Sequence, residues 1–306
     1  LWIDIPIDAV MIQIASGVNK FSLLAIPFFV LAGAIMAEGG MSRRLVAFAG
    51  VLVGFIRGGL SLVNILASTF FGAISGSSMA DTASIGSVLI PEMARKGYPR
   101  DFATAVTVSG SVQAILIPPS HNAIIYSLAA GGSISIAALF VAGVLPGLLL
   151  GLTLAVLCMV IAKKKNFPRG ERIPLKQALK ICIDALWGLM TMFIILGGIL
   201  SGVFTATESA SVAVLYALII TVFVYRSLSW DDFLKAAARA VKKTGVVLLL
   251  IGVSATLGYL MSLYSVAEVT GKALSSLTQS PWLIFMLVNI ILFLLGTFLD
   301  MAATIL

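Results

Sequence analysis

Residues 139–162 read LFVAGVLPGLLLGLTLAVLCMVIA and run directly into Lys163-Lys164-Lys165. No charge interrupts the run, and at ~1.5 Å per helical residue it is long enough to cross a bilayer once. The rest of the chain agrees with it. Of 306 residues, 60% are hydrophobic and 11% charged, against about 25% charged in a soluble domain. One core of this length cannot hide so much apolar surface. The surplus faces lipid, and the class is an all-α polytopic membrane protein. The net charge of +7 then speaks for anionic headgroups and cytoplasmic loops, and nothing supports a nucleic-acid partner. Cys158 and Cys182 lie in apolar stretches with neither a CxxC nor a disulfide framework, and read as packing residues.

The positive charges fix an expected sidedness. Seven Lys or Arg fall in 163–180 and five in 226–243, so two connections hold 12 of the 20. Both are expected in the cytoplasm. Residues 181–204 and 209–225 then form one excursion whose outer turn is Thr205-Ala-Thr-Glu208. Within 229–243, Trp230, Phe233 and Leu234 stand against Asp231, Asp232, Lys235 and Arg239, the pattern of an amphipathic helix at the interface. A span over 245–264 follows it, and others are expected over 23–37, 45–56, 60–74 and 281–299. The chain begins at Leu1 and stops inside an apolar run, so trimming at both ends is expected of one permease domain over 1–306, its spans serving as targeting signals.

Two stretches break the apolar pattern, and irregular backbone at membrane depth persists only where protein or water shields it. Gly72-Ala-Ile-Ser-Gly-Ser-Ser-Met-Ala-Asp81 reads as the tip of a re-entrant hairpin over about 69–90. Its hydroxyls and freed carbonyls are hard oxygen ligands for a small dehydrated cation, and a half-helix N-terminus beside them favours an anion. A close contact of small residues between two helices is the plainer alternative. Ile115-Leu-Ile-Pro-Pro-Ser-His-Asn122 is the second break, in a helix expected over about 102–140. Tandem prolines remove two amide donors, which frees carbonyls near Leu116 and Ile117 and aims the next half-helix from Ser120 at the same place; a proline kink is the alternative. Asp81, Glu208 and Asp300 sit in or beside apolar spans, where a carboxylate is costly without water, a cation or a partner. Thr205 with Glu208 also fits a capping box. His121 is the one histidine, which excludes a histidine metal triad, and no transition metal or organic cofactor is expected. Neither a serine with a positioned base nor a Cys–His pair points to an enzyme.

Leu62-Val-Asn-Ile65 returns as Leu287-Val-Asn-Ile290, each followed by a Gly and then an Asp. Read as the echo of a duplicated half, it places a second hairpin from about residue 295, and inverted halves that each donate a broken element are a secondary-transporter pattern.

Six separated motifs closely resemble the large membrane subunit of tripartite ATP-independent periplasmic (TRAP) transporters. They are the stretch from Phe21 to Gly33, Ala73-Ile-Ser-Gly-Ser-Ser78 with Ala80-Asp81, Lys96-Gly-Tyr98, Ile117-Pro-Pro-Ser120, Leu139 to Gly143 with Pro146-Gly147, and Gly202-Val-Phe-Thr-Ala-Thr-Glu208. The resemblance implies a sodium-driven elevator permease of the bacterial inner membrane with two hairpins flanking its site. It implies as partners a small membrane subunit and a periplasmic binding protein that delivers an organic acid such as a C4-dicarboxylate, sialic acid or another sugar acid. Combined with the breaks, it nominates Ser75, Gly76, Ser77, Ser78, Leu116, Ile117 and Pro118 for Na⁺, with Thr205, Thr207 and Asp300 from the second half. Ser78, Asp81, Ser120, His121 and Asn122 are nominated for the substrate. An ion channel lined by the broken elements is the alternative, although channels use rings of like ligands and this chain offers isolated ones.

Overall fold

In a computed structural model, residues 6–278, 280–299 and 301–306 are described, with 267, 273–275 and 277 through the backbone alone. The described residues are helical nearly throughout. They resolve into two compact units, residues 24–242 and residues 1–23 with 243–306, where the sequence suggests one domain.

Proline marks where several helices begin, because its missing N–H is no loss in a first turn. In the smaller unit α1 (Ile7–Val18) follows Pro6. In the larger unit α2 (Ala25–Glu38) turns through Gly39-Gly40 into α3 (Met41–Val53), and α4 (Gly59–Ser75) turns through Gly76 into α5 (Ser78–Arg95). After Pro99 come α6 (Arg100–Ser111) and the single turn α7 (Gln113–Leu116), then the Pro118-Pro119 break, then α8 (His121–Ala129). The two sides of that break are bent by 51°. The uninterrupted apolar run opening the sequence lies on α9 (Ile136–Lys164), capped by Ser135, whose hydroxyl accepts from the Ala138 amide at 3.4 Å. Past Pro174, α10 (Leu175–Leu200) runs antiparallel to α11 (Ala206–Ile219): Ser209 donates to the Ile195 carbonyl, Tyr216 to that of Trp187 and Tyr225 to that of Asp184.

The larger unit is assembled around α2 and α4. Ile35 and Met36 of α2 pack with Val63, Phe71 and Ile74 of α4, Met41 and Leu45 of α3, and Ile85 and Leu89 of α5. Each such side chain removes roughly 1.5–3 kcal/mol of apolar exposure. The start of α3 is locked by Arg44, whose Nε donates to Asp184 Oδ2 at 3.1 Å and whose Nη1 donates to the Gly39 and Gly40 carbonyls at 3.1 and 3.2 Å. The same guanidinium lies 3.7 Å above the Tyr225 ring centroid. The hairpin α4–α5 is longer than the sequence suggests. Its arms start and end against the 163–174 connection, where Gly58 donates to Pro168 and Tyr98 packs on Phe167, so both feet stand at one end of the unit. At ~1.5 Å per residue the tip lies about 25 Å from those feet, near the far side of a ~30 Å hydrocarbon slab.

Among the described residues five helices are long and apolar enough to cross a membrane, and a sixth if the bent pair counts as one. One departure from the sequence reading concerns 229–264. An interface helix and a separate span were expected, but α12 (Trp230–Leu263) is one continuous helix of 34 residues. No proline separates the parts, and a lone Gly245 costs only about 1 kcal/mol in a helix. At ~51 Å the helix outruns the hydrocarbon, and its charged first four turns account for the excess. In the smaller unit α12 meets α1 where Gly17 faces Ala255, and α13 (Val266–Leu277), α14 (Pro281–Gly296) and α15 (Met301–Ile305) follow. The tetrapeptide echo is not matched in surroundings: Asn64 Nδ2 reaches Thr107 on a neighbouring helix at 2.7 Å, whereas Asn289 Nδ2 folds back onto the Phe285 carbonyl of its own helix.

The antiparallel α10–α11 pairing brings the 163–174 connection and the 225–230 turn to the same end of the larger unit. Single cysteines at 165 and 235, in a background without Cys158 and Cys182, are therefore expected to react with an impermeant thiol reagent from one side of the membrane only. Labelling of the two positions from opposite sides would contradict this topology.

Candidate functional site

The hairpin tip and the proline break meet. Gly76, at φ +58°, closes α4 with its amide on the Gly72 carbonyl at 2.8 Å. Ser77 then caps α5, its hydroxyl accepting from the Ala80 amide at 3.3 Å, while its own amide donates to Ser75 Oγ at 3.4 Å. A Cβ on Gly76 would collide with the Pro119 carbonyl oxygen, and a Cβ on Gly72 with Ala114. Only hydrogens therefore separate tip from break. From the opposite direction Gly33 of α2 faces the Ser75 backbone, where an added Cβ would stand 3.0 Å from Ser75 Cα. Beneath the break, Gly143, Gly147 and Gly151 of α9 receive the Leu116 carbonyl, the Ile117 side chain and the Gln113 amide in turn. Spacing of four residues aligns these glycines on one helix face, so two backbones approach closely.

The Pro118-Pro119 peptide is cis, and Ser120 begins α8 without a side-chain cap. Ser120 Oγ, 1% exposed, has no hydrogen-bond partner among the described residues. His121 and Asn122, in the first turn of α8, are buried. Ser75 and Ser77 are buried as well, and Ser78 is half-buried.

Behind the tip runs a buried polar seam. Ser61, Asn64, Ser68, Gly72 and Ser75 recur on one face of α4. Asn64 donates to Thr107 Oγ1, Thr69 donates to Gln113 Oε1 at 2.8 Å, and Thr82 donates to Ser111 Oγ at 2.7 Å, so α4 and α5 are stitched to the broken helix. Asp81 lies fully buried in this seam with the Ser68 hydroxyl facing it. That hydroxyl stands outside hydrogen-bond geometry, and both Asp81 oxygens lack a partner among the described residues.

The structure thus brings together Ser75, Gly76, Ser77, Ser78 and the residues from Leu116 to Asn122, with Asp81 one turn behind. It turns the Leu116 carbonyl onto Gly143 of α9. Thr205 and Thr207 sit on the first turn of α11, where Thr205 makes the capping box with Glu208: its amide donates to Glu208 Oε2 at 2.8 Å and its hydroxyl accepts from the Glu208 amide at 3.3 Å. No hydrogen bond among the described residues links these threonines to the tip. Asp300 lies outside the described residues; on either side of it, where a second hairpin is expected from about residue 295, α14 ends at Gly296 and α15 covers Met301–Ile305. Sequence reading passed over the seam partners Asn64, Thr107 and Gln113 and the α9 glycine stripe. Polar or glycine positions spaced three or four apart in apolar helices were the available signal.

A many-span helical protein with a small-residue hairpin packed on an unwound proline segment has the architecture of a membrane permease. The family described as "Tripartite ATP-independent periplasmic transporter, DctM component" matches residues 2–306, and the chain belongs to it. It is similar to the C4-dicarboxylate TRAP transporter large permease protein DctM of Pseudomonas aeruginosa, 39% identical over 98% of this chain and 70% of that protein. It is also similar to the 2,3-diketo-L-gulonate TRAP transporter large permease protein YiaN of Escherichia coli, 35% identical over 100% and 72%. The sialic acid TRAP transporter large permease protein SiaM of Vibrio cholerae is 36% identical over 96% and 68%. These relatives are named as permeases, so the chain is a transport component rather than an enzyme.

Proposed function

We propose that the chain is the large permease of a sodium-coupled importer of an organic acid in the bacterial inner membrane. In this reading a periplasmic binding protein hands over the acid, and a small membrane subunit completes the transporter. The basic connections face the cytoplasm, and α4–α5 is a re-entrant hairpin that shifts with the broken helix in an elevator movement. The contact of Gly76 with Pro119 carries the proposal. It sets the Ser75–Ser78 hydroxyls, the loose carbonyls of 117–119 and the α8 N-terminus within one small volume. These are hard oxygens, the donors that suit a dehydrated Na⁺, and a helix N-terminus suits the carboxylate travelling with it. The buried, unsatisfied Ser120 hydroxyl fits a ligand at this point, since such a group costs about 1–3 kcal/mol when left bare. Each Na⁺ moving down 100 mV supplies about 2.3 kcal/mol, and each negative charge carried with it costs as much. Two ions therefore leave a net gain from the potential for a monoanion, while a dianion draws on the sodium concentration gradient or a third ion. The relatives' names favour a C4-dicarboxylate or a sugar acid as the acid carried.

Proteoliposome uptake tests the reading. Transport is expected to saturate, to require a sodium gradient and to require the binding protein. Ser77→Ala or Ser78→Ala should raise the sodium concentration for half-maximal uptake by roughly tenfold, the effect of about 1.4 kcal/mol of lost coordination, while the protein still inserts and purifies. Passive conductance without a binding protein would indicate a pore. Unchanged uptake by both variants at limiting sodium would remove the serines from the ion site.

A further inference from the structure

Arg57 and Arg169 are opposite partners in an isolated antiparallel bridge, fastened by the Gly58 amide on the Pro168 carbonyl at 3.1 Å. Directly opposed residues project from the same face with Cβ atoms about 4.5–5.5 Å apart, a placement in which like charges repel. Two exposed arginines thus leave the backbone side by side. Next to them lies a cleft of about 310 Å³ walled by Gly54, Leu60, Lys96, Tyr98, Arg169 and Glu171. Lys96 is a third cation, and Glu171 is the one carboxylate of the lining. Among the described residues none of Arg57, Lys96, Arg169 and Glu171 enters an ion pair.

The backbone that carries these cations is pinned. Tyr98, 4% exposed, packs its ring 4.5 Å from Phe167, and its hydroxyl oxygen faces the Leu60 backbone N–H, which pins the 166–170 loop to the hairpin foot. Gly170 lies so close to the Gly54 carbonyl that a Cβ would collide with it. A cleft lined by two cations and one carboxylate, with Arg57 opposite Arg169 beside it, calls for an anion. Exposed Leu52 near Gly54 gives it an apolar flank, and the Phe55 ring beside it lies 5.6 Å beneath the Arg172 guanidinium, a further cation.

We infer that this cleft binds the phosphate of an anionic phospholipid between Arg169 and Lys96 of its wall, with Arg57, opposite Arg169, reaching in from outside the lining. A guanidinium fork matches two phosphate oxygens at once, and Leu52 offers apolar surface to an acyl chain. The inference needs only that the protein is embedded in a membrane; it is independent of sodium, of substrate and of the direction of transport.

Thermal melting of the purified protein in uncharged detergent tests it, with phosphatidylglycerol, phosphatidylcholine or inorganic phosphate added. Phosphatidylglycerol is expected to raise the midpoint, and the other two at equal concentration are not. The double variant Arg57→Gln/Arg169→Gln should need about tenfold more phosphatidylglycerol for the same rise, and native mass spectrometry should find one fewer retained lipid. Lys272→Gln, whose lysine pairs with Glu268, should respond as the parent does. If the Gln pair melts early, Arg57→Lys/Arg169→Lys keeps the charge and loses the fork, and an intermediate response is expected. An undiminished phosphatidylglycerol response in either pair would overturn the inference. So would an equal response to inorganic phosphate, which would mean a small anion only.

Discussion

Gly76→Ala is expected to abolish sodium-dependent uptake while leaving the protein inserted in the membrane. Two costs coincide at this residue. Its φ of +58° is left-handed backbone, which an alanine adopts at about 1–2 kcal/mol. Its added Cβ would also meet the Pro119 carbonyl oxygen, a backbone atom with no rotamer in which to move aside. The tip must then retreat from the break, and the oxygens proposed to hold Na⁺ separate. Gly131→Ala is the control. Gly131 has φ +77° and no neighbour within 4 Å of a built Cβ, so it carries the backbone cost without the collision. Uptake by the Gly131 variant should stay near that of the parent, and sodium should still raise its melting midpoint. The Gly76 variant should lose both. Equal behaviour of the two variants would show that the approach of tip to break is irrelevant to transport.

Replacing Pro118 and Pro119 together by alanine is expected to separate stability from function. Each proline inside a helix costs about 3 kcal/mol relative to alanine. With amides restored at 118 and 119, the segment from Gln113 into α8 can close its ladder, which satisfies carbonyls that lipid and protein otherwise leave costly. The melting midpoint without sodium should hold or rise. The same repair withdraws the carbonyls around 117 and swings Ser120 and the α8 N-terminus away from Ser75–Ser78, so uptake and the sodium-induced rise in melting should both collapse. A simple bend would instead leave the sodium midpoint of any remaining transport where it was. Melting of parent and variant with and without sodium decides between them: an undiminished sodium effect in the variant would exclude the break from the ion site.

Both breaks were legible because their cause is local. Tandem prolines remove donors wherever they stand, and Gly-Ser-Ser after an apolar run ends a helix by the same rule. The capping box at Thr205–Glu208 could be read for that reason too, and the structure contains it. What the sequence hid was pairing across distance. Nothing in the chain order says that Gly76 meets Pro119 or that Gly33 meets Ser75. The full length of the hairpin was obscured because its first arm reads as a separate span over 60–74, with nothing in the order of Ser61, Asn64 and Ser68 to say that they form a seam facing α6. The continuity of α12 was missed for the opposite reason: its composition changes near Thr244, but composition does not stop a helix when no breaker is present.

The stripe of Gly143, Gly147 and Gly151 has a mechanical consequence. Where side chains interlock, rotamers take up small displacements and an interface yields before it transmits. Here one of the three contacts sets a glycine directly against a backbone carbonyl, Gly143 against that of Leu116, with no side-chain torsion in between to absorb a push, while Gly147 and Gly151 seat the Ile117 and Gln113 side chains. The joint is stiff in compression and cheap in side-chain entropy, since glycine freezes no rotamer. A force applied at Leu116 is therefore passed to α9 at Gly143 as through a rod butted against its bearing, whereas one applied at Ile117 or Gln113 is softened by the side chain in between.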